Sequence, residues 1–250
     1  MTGQLPRAAH AQPAPEPSYF VHRGIFRAVQ PIPRDQLVRR FGQLSVGLLL
    51  YGLSMALMIQ SSLGLGPWDV FHQGVAKRVP VSFGVVVIAV SLVVLLLWIP
   101  LKQKPGIGTV ANAFVVGAAT DLGLWLFPVI HQVAWGIAAM VLAIGANALA
   151  GALYIGAGLG PGPRDGLMTG LVRRGVGSVF VVRSCLEGTV LLIGWLLGGT
   201  VFVGTVLYAA TIGPCLHWMM PIFHIKPRPP ATEPAGAGPE QPRAGAPESR

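Results

Sequence analysis

The sequence predicts an all-α membrane protein with six transmembrane helices. They form two inverted three-helix repeats, each with a short interfacial or re-entrant helix. Three observations predict this: a composition too apolar for water, six apolar stretches of membrane-crossing length, and a loop motif that recurs at a fixed distance. Of 250 residues, 52% are hydrophobic and 11% charged, against about 25% charged in an ordinary soluble domain. The mean hydropathy is +0.62. So little polar surface cannot keep a folded chain in water, so the solvent must be lipid.

The apolar stretches run about 41–62, 82–100, 107–127, 134–157, 178–197 and 203–222. A crossing takes about 20 residues at roughly 1.5 Å each. Lys102, Lys104 and Pro105 divide the second from the third, and Pro128 and His131 the third from the fourth. The Gly198–Gly199–Thr200 break before the sixth is weak, which leaves a five-helix count open. Charge favours six. With the N-terminus cytoplasmic, the basic first tail, Lys102 and Lys104, Arg164, Arg173 and Arg174, and Lys226 and Arg228 all fall inside. Only Lys77 and Arg78 oppose this, whereas five helices would strand Lys226 and Arg228 outside.

Residues 1–40 and 224–250 are rich in Pro, Ala, Gly, Arg and Glu. They cannot bury enough apolar area to offset the cost of ordering, so they are expected to be flexible cytoplasmic tails around a transmembrane domain at 41–223. No secretory signal pattern precedes the first apolar run near Phe41, so the first tail is expected to stay on the mature protein. The net charge of +9 suits membrane-surface attraction and topology signalling. Nucleic acid is not expected as a partner, because no folded soluble domain presents that charge.

The repeat is the most informative feature. Leu63–Asp69 recurs as Leu159–Asp165, 96 residues later. The same offset pairs Gly64 with Gly160, Gly66 with Gly162, Pro67 with Pro163, Gly74 with Gly170, Arg78 with Arg174, and Ser82 with Ser178. Beyond the next span it pairs Gly108 and Thr109 with Gly204 and Thr205, and Gly117 with Gly213. The units cover about 41–127 and 137–223. Each holds three crossings, and an odd number forces the second unit to sit upside down. Inversion also accounts for Lys77 and Arg78, which are the counterparts of Arg173 and Arg174. The segment Trp68–Val79 is too short to cross and carries Asp69, His72 and Gln73.

The strings GLGPWDVFHQG at 64–74, GIGTVANAFVVG at 106–117 and GLGPGPRDG at 158–166 resemble the YczE/YitT-type family of bacterial membrane proteins. The resemblance covers roughly residues 41–220. It implies a bacterial cytoplasmic membrane, and it brings neither a reaction nor a substrate.

In the two loops, Gly64, Gly66, Gly160 and Gly162 permit backbone angles closed to other residues. Pro67 and Pro163 suit the first helical position, and Asp69 and Asp165 fall in the first turn, at the positive end of the dipole. Two readings stand open. In one, each short helix lies in the membrane interface with Trp68 at headgroup level, and the loops sit on opposite faces and share no site. In the other, the loops re-enter the membrane and present helix N-termini and carboxylates to a solute or coupling ion. The second reading names Trp68, Asp69, His72, Gln73, Arg164 and Asp165 as pathway residues. It adds Asn112 and the pair Arg183 and Glu187, spaced four apart on one helix face. That pair also reads as self-neutralising packing, and Asn112 and Asn147 as interhelical hydrogen bonds. Asp121 reads as lying near a helix end.

No catalytic or metal site is expected. Cys185 and Cys215 form no CxxC pair, and His72, His131, His217 and His224 have no ligand spacing. No phosphate-binding loop is present, and no cofactor is expected. The expectation is therefore a non-enzymatic transporter of a small solute, with the lipid bilayer and that solute as its partners. The alternative is a non-transporting scaffold or accessory subunit of another membrane complex. The sequence does not define an oligomeric state.

Overall fold

A computed structural model describes residues 36–225, which form eight helices and, among those residues, no strand. They are α1 (Leu37–Gln60), α2 (Pro67–Ala76), α3 (Phe83–Leu96), α4 (Ile107–Leu126), α5 (Val133–Gly156), α6 (Pro163–Arg173), α7 (Val179–Leu196) and α8 (Val203–Phe223). Each of α5 to α8 begins 96 residues after its counterpart among α1 to α4. Most of the two tails, with Lys226 and Arg228, lies outside the described residues.

Five helices (α1, α4, α5, α7 and α8) are long and apolar enough to cross a bilayer. The second expected span is shorter than 82–100: helix α3 ends at Leu96, and the chain turns through residues 97–102. Its 14 residues reach about 21 Å. The weak break before the sixth stretch is real, since α7 ends at Leu196 and α8 starts at Val203.

Helices α1 and α5 form the centre, and they run antiparallel. Arg40, at the start of α1, donates from Nη1 to the Ala157 carbonyl at the end of α5 (2.8 Å). Gly136, at the start of α5, packs against the Ser61 carbonyl just after α1. Arg40 is 2% exposed, so it belongs to the helical body and not to a flexible tail. Its cation sits where the α5 carbonyls end, the favourable end of that dipole. Helix α4 runs parallel to α1, with Gly52 against Val116 and Thr120, and Gly123 against Leu53 and Ala56. Helix α8 runs likewise with α5, so that Phe223 lies beside Gly156 and accepts from Gln43 Nε2 (2.7 Å). The first residues of α1 and the last of α8 therefore share one end of the bundle.

Each unit's loop is anchored by the other unit's last helix. The Gly108 N–H donates to the Leu159 carbonyl (2.9 Å), and the equivalent Gly204 N–H to Leu63 (2.7 Å). Thr109 Oγ1 donates to the Pro161 carbonyl (2.7 Å), while Thr205 Oγ1 accepts from the Leu65 N–H (3.1 Å). Both threonines thus clamp the partner loop as well as allowing close approach. Thr109→Val should lower the unfolding free energy by about 1 kcal/mol, because the partly buried Pro161 carbonyl loses its donor. Denaturation in detergent micelles checks this, and an unchanged transition would refute it.

The basic pairs are also used across units. Lys77 Nζ and Arg78 Nε donate to the Gly198 and Leu197 carbonyls at the end of α7 (2.6 and 3.2 Å). Arg174 donates to the Pro100 carbonyl beyond α3. The two units still pack differently. Helix α3 lies on α4, with Gly84 and Gly117 backbone to backbone, and Asp121 accepts from Ser82 Oγ and the Gly84 N–H (2.5 and 2.7 Å). Asp121 is therefore part of a helix cap, in keeping with its position near the end of α4. Helix α7 stands away from α8 and packs on α2 instead, with Gly194 against Val70 and Phe71. Side-chain size explains the difference. The position equivalent to Gly84 is Phe180, which is 80% exposed, and the position equivalent to Gly194 is Trp98, which is buried between α3 and α6.

Candidate functional site

The loops that separate α1 from α2 and α5 from α6 turn back from opposite ends of the bundle and meet. Gly64 and Gly160 make the reversal at φ of +113° and +126°, a region that L side chains rarely adopt. Gly66 and Gly162 are different from what the sequence suggested. Their φ values of −61° and −62° are ordinary, so angle is not the reason for glycine. Space is the reason: a Cβ on Gly66 would lie 2.9 Å from the Tyr208 ring, and one on Gly162 would lie 3.2 Å from the Tyr154 hydroxyl. Pro67 and Pro163 each occupy the first helical position, as expected.

The N-termini of α2 and α6 face one cavity of about 130 Å³. Trp68 and Asp69 enter it from one loop, and Arg164 and Asp165 from the other. Residues of the two loops thus line one shared cavity, the arrangement that the re-entrant reading calls for. The Arg164 guanidinium stacks on Trp68 (5.1 Å to the ring centroid) and lies 3.6 Å from Asp69 Oδ1. Asp165 accepts a short hydrogen bond from the Tyr154 hydroxyl. Asp69 is 5% exposed, and its Oδ1 has no hydrogen-bond partner. His72 Nδ1 stands 3.5 Å from that oxygen, and neither ring nitrogen of His72 is hydrogen-bonded.

The other expected residues divide. Arg183 and Glu187 form their ion pair (2.9 Å) and line the cavity from α7. Asn112 lines a smaller adjoining cavity of about 40 Å³, shared with Arg164 and Asp165. His72 is buried behind Asp69 and packs edge-on against Phe83. Gln73 leaves the site: its Oε1 accepts from the Thr200 N–H (2.7 Å) and fixes the α7–α8 turn. The polar residues of α2 are thus split between the cavity and the protein interior.

Three tyrosines were not anticipated as wall residues. Tyr51, Tyr154 and Tyr208 all line the cavity, and the first two meet edge-to-face at 5.9 Å. The Tyr208 hydroxyl donates to Asn147 Oδ1 (3.1 Å), and Asn147 Nδ2 donates to Ser54 Oγ (2.9 Å). Asn147 makes the interhelical bonds expected of it and also faces the cavity. Depth was a signal for Tyr51 alone, which lies mid-way along its apolar stretch; Tyr154 and Tyr208 lie near the ends of theirs, where tyrosine is ordinary.

Apolar spans around a polar, charge-lined interior define a multi-pass helical membrane protein. A family model described as a family of unknown function (DUF6198) matches residues 38–221, and the chain belongs to that family. The chain is 38% identical over 187 residues to an uncharacterised protein of Haemophilus influenzae, covering 72% of this chain and 84% of the relative. It is 28% identical over 190 residues to the uncharacterised membrane protein YczE of Bacillus subtilis, covering 75% and 88%. To the uncharacterised YyaS of the same organism it is 26% identical over 188 residues, covering 71% and 90%. No solved structure matches significantly.

Proposed function

We propose that the protein is a transporter of a small polar solute in the bacterial cytoplasmic membrane, with six crossings, inverted three-helix units and both ends cytoplasmic. The observation that carries this reading is the meeting of the two helix N-termini, with their Asp69, Arg164 and Asp165, in one cavity deep in an apolar bundle. Ionisable groups at such depth are costly, and they mark solute or ion pathways. The antiparallel α1 and α5, which are equivalent in the repeat, support the inversion. The sixth crossing is α3 with its following turns; its short helix is supplemented by Trp98, whose indole N–H donates to the Pro163 carbonyl (3.0 Å). The re-entrant reading is favoured because α2 ends at the outer rim, beside α7, while its N-terminus lies inside. The cavity is below the roughly 300–1,000 Å³ of drug-sized sites, so the solute is compact.

The test uses Met168→Cys, a cavity-wall position without a charged role, in a chain whose Cys185 and Cys215 are replaced by serine. A membrane-impermeant maleimide is expected to label it both from outside intact cells and from the cytoplasmic face of inverted vesicles. Labelling from one side only, or from neither, would sink the transporter in favour of a scaffold or accessory subunit.

A further inference from the structure

We infer that the cavity selects a small organic monocation, an ammonium compound of a few heavy atoms. This rests on the transporter reading and names the class of its solute. The first argument is charge balance. Three carboxylates (Asp69, Asp165 and Glu187) and two guanidiniums (Arg164 and Arg183) line the cavity. Arg183 and Glu187 neutralise each other at 2.9 Å, which leaves Arg164 against two aspartates. His72 does not make up the difference: it is fully buried, neither ring nitrogen is hydrogen-bonded, and Asp69 Oδ1 at 3.5 Å is beyond hydrogen-bond reach, so the ring is counted as neutral. One negative charge is left over beside the buried Asp69, and one positive charge on the solute closes the balance.

The second argument is an independent one. The Asp69 side chain is 7% exposed and lies at the cavity, yet its Oδ1 accepts no hydrogen bond. Its nearest nitrogen neighbours, the His72 ring at 3.5 Å and the Arg164 guanidinium at 3.6 Å, both stand beyond good hydrogen-bond geometry. Asp165, in contrast, is already held by the Tyr154 hydroxyl. A carboxylate desolvated in this way wants an N–H donor, which an ammonium head supplies. The third argument separates an organic cation from a metal ion. Aromatic rings of Tyr51, Tyr154 and Tyr208 line the same space, and such faces attract weakly hydrated organic cations.

The experiment measures melting of the purified full chain in detergent at constant ionic strength. The probes are ethylammonium, tetramethylammonium, sodium and acetate. An alkylammonium ion is expected to raise the melting temperature saturably, and sodium and acetate are not. Two variants at the partly exposed ion pair should then move the affinity in opposite directions without unfolding the chain. Arg183→Gln adds to the uncompensated negative charge and should tighten ammonium binding about tenfold, whereas Glu187→Gln should weaken it about tenfold. A merely structural pair would move both the same way. Asp69→Asn should abolish the response. Stabilisation by sodium or acetate as strong as by ammonium overturns the inference, as do variants that shift in one direction. No response to any probe, with Met168→Cys labelled from both faces, overturns the cation assignment and leaves the transporter standing.

Discussion

Replacing Arg164 with leucine is expected to lower the unfolding free energy by about 3 kcal/mol, because it leaves a buried carboxylate without its cation. Asp69 is 5% exposed and faces Arg164 at 3.6 Å, and Asp165 lines the same cavity. With the guanidinium gone, the buried Asp69 has lost its cation, Asp165 adds a second carboxylate to the same cavity, and Trp68 loses the cation stacked on its ring. Asp69→Asn in the Arg164→Leu background should recover most of the loss, because it removes the charge that the first substitution stranded. The four unfolding free energies of that cycle measure the coupling. If the double variant is as unstable as the sum of the two single ones, the pair is not coupled and the cavity is wetter than its geometry implies.

The fold was legible because duplication is written in residues that membrane composition does not dictate. Gly64, Pro67, Asp69 and Ser82 recur at a constant offset, and each helix of the second half starts where that offset places it. The length of α3 was less legible. The apolar run continues to Pro100, but hydropathy does not register where a helix gives way to turns, and here the chain turns before Trp98. At the site, the loop carboxylates, Arg164 and the Arg183–Glu187 pair were readable, since intramembrane charge is rare and conspicuous. Whether the two loops met was not readable. The length of the first apolar stretch is that of a full crossing, and it does not register that residues 62–66 fold back into the bundle. The tyrosine walls escaped for a related reason: Tyr51, Tyr154 and Tyr208 stand on three different helices, and only tertiary packing brings them together. Gln73 was misassigned because polarity alone cannot distinguish a cavity from a neighbouring turn that needs an acceptor.

The unequal packing of the two units yields the sharpest contrast between equivalent positions. Gly117 and Gly213 are 96 residues apart and correspond in the repeat. A Cβ on Gly117 would lie 2.5 Å from the Gly84 carbonyl oxygen and 2.7 Å from Ile88 Cγ1, whereas one on Gly213 would meet nothing within 4 Å. Gly117→Val should therefore force α3 off α4, pull Ser82 and the Gly84 N–H away from Asp121, and cost about 3 kcal/mol in denaturation. Gly213→Val should leave the transition within about 0.5 kcal/mol of the parent chain. Cysteine labelling adds a second readout. If solute passage requires α7 to leave α2 and close on α8, as α3 already closes on α4, valine at 213 obstructs that closure. Labelling of Met168→Cys from both faces should then become labelling from one, with stability unchanged. Equal stability losses in the two glycine variants would mean that α7 and α8 pack as closely as α3 and α4. Two-sided labelling that survives Gly213→Val would show that solute access does not depend on closing the gap between α7 and α8.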